Sequence, residues 1–355
     1  MIRRDREGAP LLTIAWSDDT DRTGDLALAL GGLSRRYTGM GMRGGVTAPL
    51  RYAINGLRTT AWLIRARPRM VVTQNPPIFL PLLTWVLISP RGGRLILDSH
   101  PSAFGRKGMR FWKAMLPIHR YLARRSAAVL VGSEDLAAEV RSWGGNAVVL
   151  HEPPVPSPSV FDPVAEPSIR PLPSRPTVLF VGVFASDEPI GEVLEAAGAL
   201  PTVDFLVTGD TRRADNALLN SAPPNVTWVG YLQQEDYQRQ VRECDVVMAL
   251  TTEDSSVVRA GYEAVYAGRP LITSRTPTLT ATFPYAIHVA NRAGDIAEGV
   301  REMLRGFDRI QRTAGPACIL QERRWLEQIA AVREVTGPPI PNPSSPRTTD
   351  GPDDA

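Results

Sequence analysis

Short apolar runs alternate with longer amphipathic stretches along most of the chain. LLTIAW (11–16), MVVTQ (70–74), RLILD (94–98), AAVLVG (127–132) and NAVVLH (146–151) have the length and β-branched content of buried strands. Helical patterns separate them: RYAINGLRTTAWLIRA (51–66), FWKAMLPIHRYLARR (111–125) and EDLAAEVRSWG (134–144). The last begins with Ser133 as N-cap and places Glu134 and Asp135 in its first turn, where carboxylates favour the helix dipole. Strands alternating with helices predict a parallel sheet covered on both faces.

Residues 152–176, EPPVPSPSVFDPVAEPSIRPLPSRP, hold nine prolines and predict an extended linker. The alternation then restarts with TVLFVG (177–182), VDFLVTGD (203–210), NVTWVGY (225–231), CDVVMAL (244–250), PLITS (270–274) and AIHVA (286–290). Helical patterns fall between them at PIGEVLEAAGAL, EDYQRQVREC, VRAGYEAVYAG and AGDIAEGVREMLRGF. The expectation is a flexible N-terminus (1–10), a Rossmann-like domain (11–151), the linker, a second Rossmann-like domain (177–335) and a disordered tail (337–355). A C-terminal helix has room to cross back to the first domain. Open parallel sheets bind ligands outside their strand carboxyl ends, so the domains are expected to face a central cleft, with functional residues just after strands. A hinge at the linker would let them close and exclude water.

Composition changes this picture little. Of 355 residues 43% are hydrophobic, which suits a soluble globular protein. Two cysteines, Cys244 and Cys318, make no disulfide framework, and four scattered histidines give no metal-ligand spacing. The basic N-terminus lacks the apolar core of a signal peptide. IFLPLLTWVLI (78–88) is 11 residues long, against roughly 20 for a membrane span, and predicts a buried or interfacial helix. Charge is more telling. Residues 1–160 hold 22 Arg/Lys and 11 Asp/Glu, whereas the remainder hold 18 and 26, so a basic half precedes an acidic one.

With two such domains in place, the motifs resemble those of GT-B glycosyltransferases. VLFVGVFASDEPIGEVLEAA, FLVTGD, NVTWVGYL, DVVMALTT and GYEAVYAGRPLITS follow the order of the sugar-nucleotide half of family 4-like enzymes over most of residues 177–305. VTQNPPIFLPLL (72–83), LDSHPSAF (97–104) and the Asp-Glu pair of FASDEP look like motifs of the chitobiosyldiphosphodolichol β-mannosyltransferase branch. The resemblance implies an α/β fold of the GT-B type and sugar transfer from a nucleotide-sugar co-substrate, with no cofactor and no metal. Two departures stand out. Where retaining members carry a first glutamate this chain has Ser255, eight positions before Glu263, and Ser186, Asp187 and Glu188 stand where an Arg and a Lys usually grip the pyrophosphate. An inverting mechanism is therefore favoured.

Within that resemblance, Thr251, Thr252, Ser255 and Ser256 are expected to cradle a pyrophosphate with their hydroxyls and backbone N–H groups. A helix from about Val257 would carry Glu263 on its second turn to accept the ribose hydroxyls, and Arg259 would supply the missing cation. Gly209, Asp210, Tyr231 and Leu232 end adjacent strands and are candidates to line the nucleotide, or are ordinary turns. Asp187 and Glu188 either contact sugar hydroxyls or cap the helix beginning at Pro189. In the first domain His100 is the candidate base and Asp98 its orienting group, or the reverse. Asp18, with Asp19 in reserve, and Asn75 are candidates for the acceptor, although the prolines after Asn75 equally suit a simple turn.

The stretch 105–125 mixes seven Arg/Lys with aromatic and aliphatic residues. It suits either a helix lying on an anionic membrane or one packing on the core. No nucleic-acid motif accompanies it. The expected activity is transfer of a sugar to a lipid-linked or other saccharide acceptor, and the resembled branch implies one borne on a polyprenyl diphosphate. It belongs to bacterial cell-wall or exopolysaccharide synthesis, with the enzyme cytoplasmic and peripheral at the inner face of the plasma membrane. Two alternatives are a UDP-sugar 2-epimerase on the same fold and a non-catalytic nucleotide- or partner-binding relative. Oligomeric state leaves no trace in the sequence.

Overall fold

The structure, a computed structural model, describes residues 11–17, 22–38, 47–105, 110–154 and 170–337. The N-terminal ten residues, Asp18, Asp19, most of the proline-rich linker and the tail from 338 lie outside the described residues. The chain divides into two compact units.

Unit 1 comprises residues 1–131, 139–148 and 329–355. Its strands are β1 (Leu11–Ala15), β2 (Leu33–Arg36), β3 (Met70–Asn75), β4 (Arg94–Ser99), β5 (Ala128–Val131) and β6 (Ala147–Val149). They lie in the order β2-β1-β3-β4-β5-β6, and the pairings from β2 to β5 are parallel. The helices are α1 (Arg22–Leu30), α2 (Ala48–Ala66), α3 (Phe79–Ile88), α4 (Arg110–Arg125) and, from residue 139 on, α5 (Glu134–Ser142). Leu12, Ile14, Val71, Leu95, Ile96, Leu97 and Val129 are wholly buried, so the central strands are apolar on both faces. β2 is the strand the hydrophobic pattern misses: all four residues, LSRR, are exposed at the sheet edge.

Unit 2 comprises residues 132–138 and 149–328. Its strands are β7 (Thr177–Phe180), β8 (Asp204–Thr208), β9 (Val226–Gly230), β10 (Val246–Ala249), β11 (Leu271–Ser274) and β12 (Ile287–Val289). The helices are α6 (Ile190–Gly198), α7 (Asn216–Asn220), α8 (Gln234–Glu243), α9 (Arg259–Tyr266), α10 (Pro277–Thr282), α11 (Ala293–Arg305) and α12 (Phe307–Thr336). Alternate strand residues feed two cores. Val178, Phe180, Phe205, Val246 and Met248 pack with Val193, Leu194, Val300 and Met303 of α6 and α11. Leu179, Val247 and Ala249 join Tyr262, Val265 and Phe283 on the other face. From Ile329 onward α12 belongs to unit 1, where Arg333 donates to the Ala29 carbonyl and Arg94 to that of Val335.

The order β12-β11-β10-β7-β8-β9 is that of a doubly wound sheet, which reverses between β7 and β10. Such a reversal leaves a crevice at the strand carboxyl ends, because the two following loops depart to opposite faces. In unit 1 the reversal falls between β1 and β3.

Candidate functional site

In unit 2 the loops after β7 and β10 flank the reversal, and hydrogen bonds join them. The Thr251 hydroxyl donates to Asp187 Oδ2 at 2.6 Å and accepts the Glu253 N–H. The Thr252 N–H donates to the Asp187 carbonyl, and the Thr251 N–H to the Ser274 hydroxyl. Ser274 in turn donates to Asn291, whose amide returns to the Thr251 carbonyl. This corrects the expected cradle. Thr251 is 1% exposed and its polar groups are consumed in holding the loops, as a buried hydroxyl requires. Ser255 is buried too, and the Ser256 N–H goes to the Glu253 carbonyl. Among the four expected residues, Thr252 is exposed and Ser256 half-buried.

Glu188 turns back on its own loop. Its carboxylate accepts the N–H groups of Val183 at 3.0 Å and Ala185 at 3.1 Å, so neither it nor Asp187 caps α6, which starts after Pro189. Burial raises the Glu188 pKa, while the backbone N–H groups oppose that rise. Those amides serve this carboxylate, which removes them from any phosphate. Gly209 lies against the same loop. At φ +118° a Cβ there would stand 2.8 Å from the Gly182 carbonyl oxygen, so the packing of the two loops requires glycine at this position.

Glu263 sits on the second turn of α9, as expected. Its carboxylate is held from two sides, by the Tyr237 hydroxyl on Oε2 at 2.5 Å and by Arg259 Nε on Oε1 at 2.9 Å. Burial, then the Glu263 charge, pushes the Tyr237 phenol well above its ordinary range, which keeps it a donor. Tyr237 carries no signal in the sequence, since α8 holds no motif. Val258, ahead of α9, makes no side-chain cap bond, and its carbonyl accepts the Gly261 N–H. Asp210 caps the short turn Thr211–Arg213 and ion-pairs with Arg212, whose hydrogen bond lowers the Asp210 pKa. Tyr231, 74% exposed, and half-buried Leu232 follow β9.

In unit 1 the expected pairing of Asp98 with His100 is replaced. Arg22 Nε lies 3.0 and 3.2 Å from the two Asp98 oxygens. His100 Nδ1 instead meets Ser102, at 2.9 Å from the hydroxyl and 3.3 Å from the N–H. Donation from Nδ1–H to the hydroxyl would leave Nε2 unprotonated, whereas the Ser102 N–H can only donate and favours the other tautomer. Ser102, which carries no signal in the sequence, is thus the side chain that His100 Nδ1 meets.

Asn75 is 1% exposed, with its amide on Ser99 at 3.3 Å. Ser99 meets His119 Nε2 at 3.1 Å, and His119 Nδ1 faces the Ala103 carbonyl. A carbonyl only accepts, so Nδ1 carries the proton and Nε2 accepts from Ser99. Burial lowers the His119 pKa to about 4. Asn75 therefore joins an internal network in place of the expected acceptor contact. α4 parks Arg120 over Trp143 and Arg125 over Tyr121, each 5.4 Å from the ring centroid, and exposes Phe111 and Tyr121. Among the described residues no helix is long and apolar enough to cross a membrane.

Residues 5–154 match a family profile described as a Glycosyl transferase 4-like domain. No curated protein matches the chain. Solved structures match across nearly its whole length. A sucrose-phosphate synthase from Thermosynechococcus elongatus is 15% identical with a TM-score of 0.73, covering 92% of this chain and 98% of that one. Anabaena Alr3699/HepE, solved with UDP and glucose, is 12% identical with a TM-score of 0.68 and the same coverage. A UDP-forming trehalose-phosphate synthase from Burkholderia xenovorans is 10% identical with a TM-score of 0.63, again over 92% and 98%. At such identities the likeness is one of fold, and the fold is that of GT-B glycosyltransferases.

Proposed function

We propose that the chain is a glycosyltransferase moving a sugar from a nucleoside-diphosphate sugar to the hydroxyl of a polyprenyl-diphosphate-linked saccharide. The product belongs to a cell-wall or exported polysaccharide, and the enzyme works at the inner face of the plasma membrane. What carries the reading is the arrangement at the β7/β10 reversal. There Glu263 is fixed by Tyr237 and Arg259 at the place where a doubly wound sheet takes its ligand. Glu263 accepts the ribose hydroxyls, while Thr252, Ser256 and the first turn of α9 take the diphosphate. Arg259 offsets the charge of the departing group, and Tyr231 and Leu232 line the base. The UDP and UDP-glucose bound to Anabaena Alr3699/HepE support a uridine donor.

Transfer proceeds with inversion and is assigned no metal ion. The acceptor oxygen bonds to the anomeric carbon as its proton passes to His100 Nε2, and the carbon–oxygen bond to the diphosphate breaks with its electron pair on the nucleotide. Ser102, whose hydroxyl lies 2.9 Å from Nδ1, is assigned the role of orienting the ring, with Nδ1–H donating to that hydroxyl in the reacting tautomer.

The test is the melting temperature of wild type and Glu263→Ala with UDP, GDP, ADP, dTDP and CMP. At 100 times its Kd a ligand stabilises the native state by about 2.7 kcal/mol. The reading predicts that UDP raises the wild-type Tm by several degrees and the variant loses the shift. No shift with any nucleotide, or an equal shift in the variant, contradicts it.

A further inference from the structure

Helix α2 buries Leu63 together with two polar residues and leaves other apolar residues exposed. Its inward face carries Asn55, which donates to the Tyr37 carbonyl, and Thr59, which accepts from the Trp16 indole at 2.9 Å. Its outward face carries Leu50, Leu57 and Ile64, exposed by 58, 73 and 51%. They recur every seven residues, with half-buried Ile54 and exposed Ala61 between them, and form one stripe. The stripe is about 21 Å long at 1.5 Å per residue.

An arginine follows each of the three: Arg51, Arg58 and Arg65. Arg35 of the neighbouring edge strand lies over the Trp62 ring, 5.5 Å from its centroid. No opposing charge is built into the surrounding sequence. The 72 residues between Asp25 and Asp98 hold ten arginines and neither Asp nor Glu. Such a face wants an occupant that is apolar in its middle and negative at its margin. A second copy supplies the first but not the second, since two copies meeting along this stripe oppose their arginine rows. A lipid surface supplies both: acyl chains take the leucines, and the long arginine side chains reach back to the headgroups.

We propose that α2 is the docking element of unit 1 for an anionic membrane, lying in the interface plane with Leu50, Leu57 and Ile64 inserted. It rests on the proposed lipid-linked acceptor only for its purpose, not for its evidence. Of the arginine row, Arg51 lies over the Tyr52 ring, 5.6 Å from its centroid.

The test uses the full chain and vesicles of phosphatidylcholine alone or with 30% phosphatidylglycerol. Wild type is compared with the Leu50→Gln/Leu57→Gln/Ile64→Gln and Arg51→Gln/Arg58→Gln/Arg65→Gln triple variants. Wild type is expected to sediment with the anionic vesicles only. Basic residues near such a surface contribute about fivefold each, so the arginine variant should bind on the order of 100-fold more weakly. The apolar variant should lose at least about tenfold. Leu57→Trp, a milder change, should show a blue-shifted emission with anionic vesicles. Wild type that stays in solution, variants that sediment like wild type, or a dimer lost in the apolar variant without vesicle binding each overturn the proposal. So does binding to polyglutamate but not to vesicles, which assigns the face to an acidic protein. The UDP melting shift is read on the same samples: its absence from wild type defeats the donor reading and leaves the docking result intact.

Discussion

Tyr237 and Glu263, 26 residues apart in the chain, meet through a hydrogen bond of 2.5 Å in which the phenol donates to the carboxylate. Arg259 holds the other carboxylate oxygen. Two donors on one acid fix its direction, which lets it offer its remaining lone pairs to a diol without reorganising. Tyr237→Phe removes one of them. A hydrogen bond to a charged group is worth about 1.5–3 kcal/mol, so calorimetry should show UDP binding weakened by roughly tenfold. Unchanged affinity would separate Tyr237 from the donor site.

Thr251 and Thr252 are neighbours with opposite expectations. Thr251→Val deletes the bond to Asp187 and the acceptor for the Glu253 N–H, and should cost about 1–3 kcal/mol in urea unfolding. Thr252→Ala should leave unfolding within about 0.5 kcal/mol and weaken nucleotide binding. The reverse pattern would show that the wrong threonine has been placed at the ligand.

Gly209→Ala puts a Cβ 2.8 Å from the Gly182 carbonyl oxygen at a φ of +118°. Strain of this kind costs about 1–3 kcal/mol. A lower urea midpoint is expected, together with weaker UDP binding, because the loop after β7 must move. A variant as stable as wild type would contradict the close approach.

His119 gives a pH dependence with a definite sign. Its pKa falls from 6.5 to about 4 on folding because burial disfavours the cation. Between these values the unfolded chain binds more protons, so stability is full above pH 6.5 and declines as the pH falls towards 4. The loss from this residue is about 3 kcal/mol. His119→Gln should flatten the slope of unfolding free energy against pH in that window; an unaltered slope would count against the buried neutral ring.

Among the described residues, eleven of the twelve strands coincide with apolar runs in the sequence, and the central ones are buried on both faces of a parallel sheet. β2 does not: LSRR is an exposed edge whose place is set by pairing Leu33 with Leu12. α12 is obscured by Gly315 and Pro316, which interrupt a helical pattern that tertiary packing nonetheless completes. At the site, the turn position of Glu263 is legible from local spacing. The fates of Thr251, Glu188 and Asn75 are not, since each is decided by a group brought in by folding: Asp187, the Val183 and Ala185 amides, and Ser99. The same holds for His100, whose partner two residues on is Ser102, while Asp98 turns to Arg22.

The central claim is sugar transfer, and the direct measurement is nucleoside-diphosphate release from a UDP-sugar with and without a polyprenyl-diphosphate-linked saccharide, for wild type, Ser102→Ala and His100→Ala. The account predicts acceptor-dependent release, a kcat lowered about 10²–10⁴-fold in His100→Ala with the UDP melting shift retained, and a smaller loss in Ser102→Ala that moves the pH profile. Release that His100→Ala leaves untouched, or none from a wild-type protein that binds the donor and is given the acceptor, would contradict it.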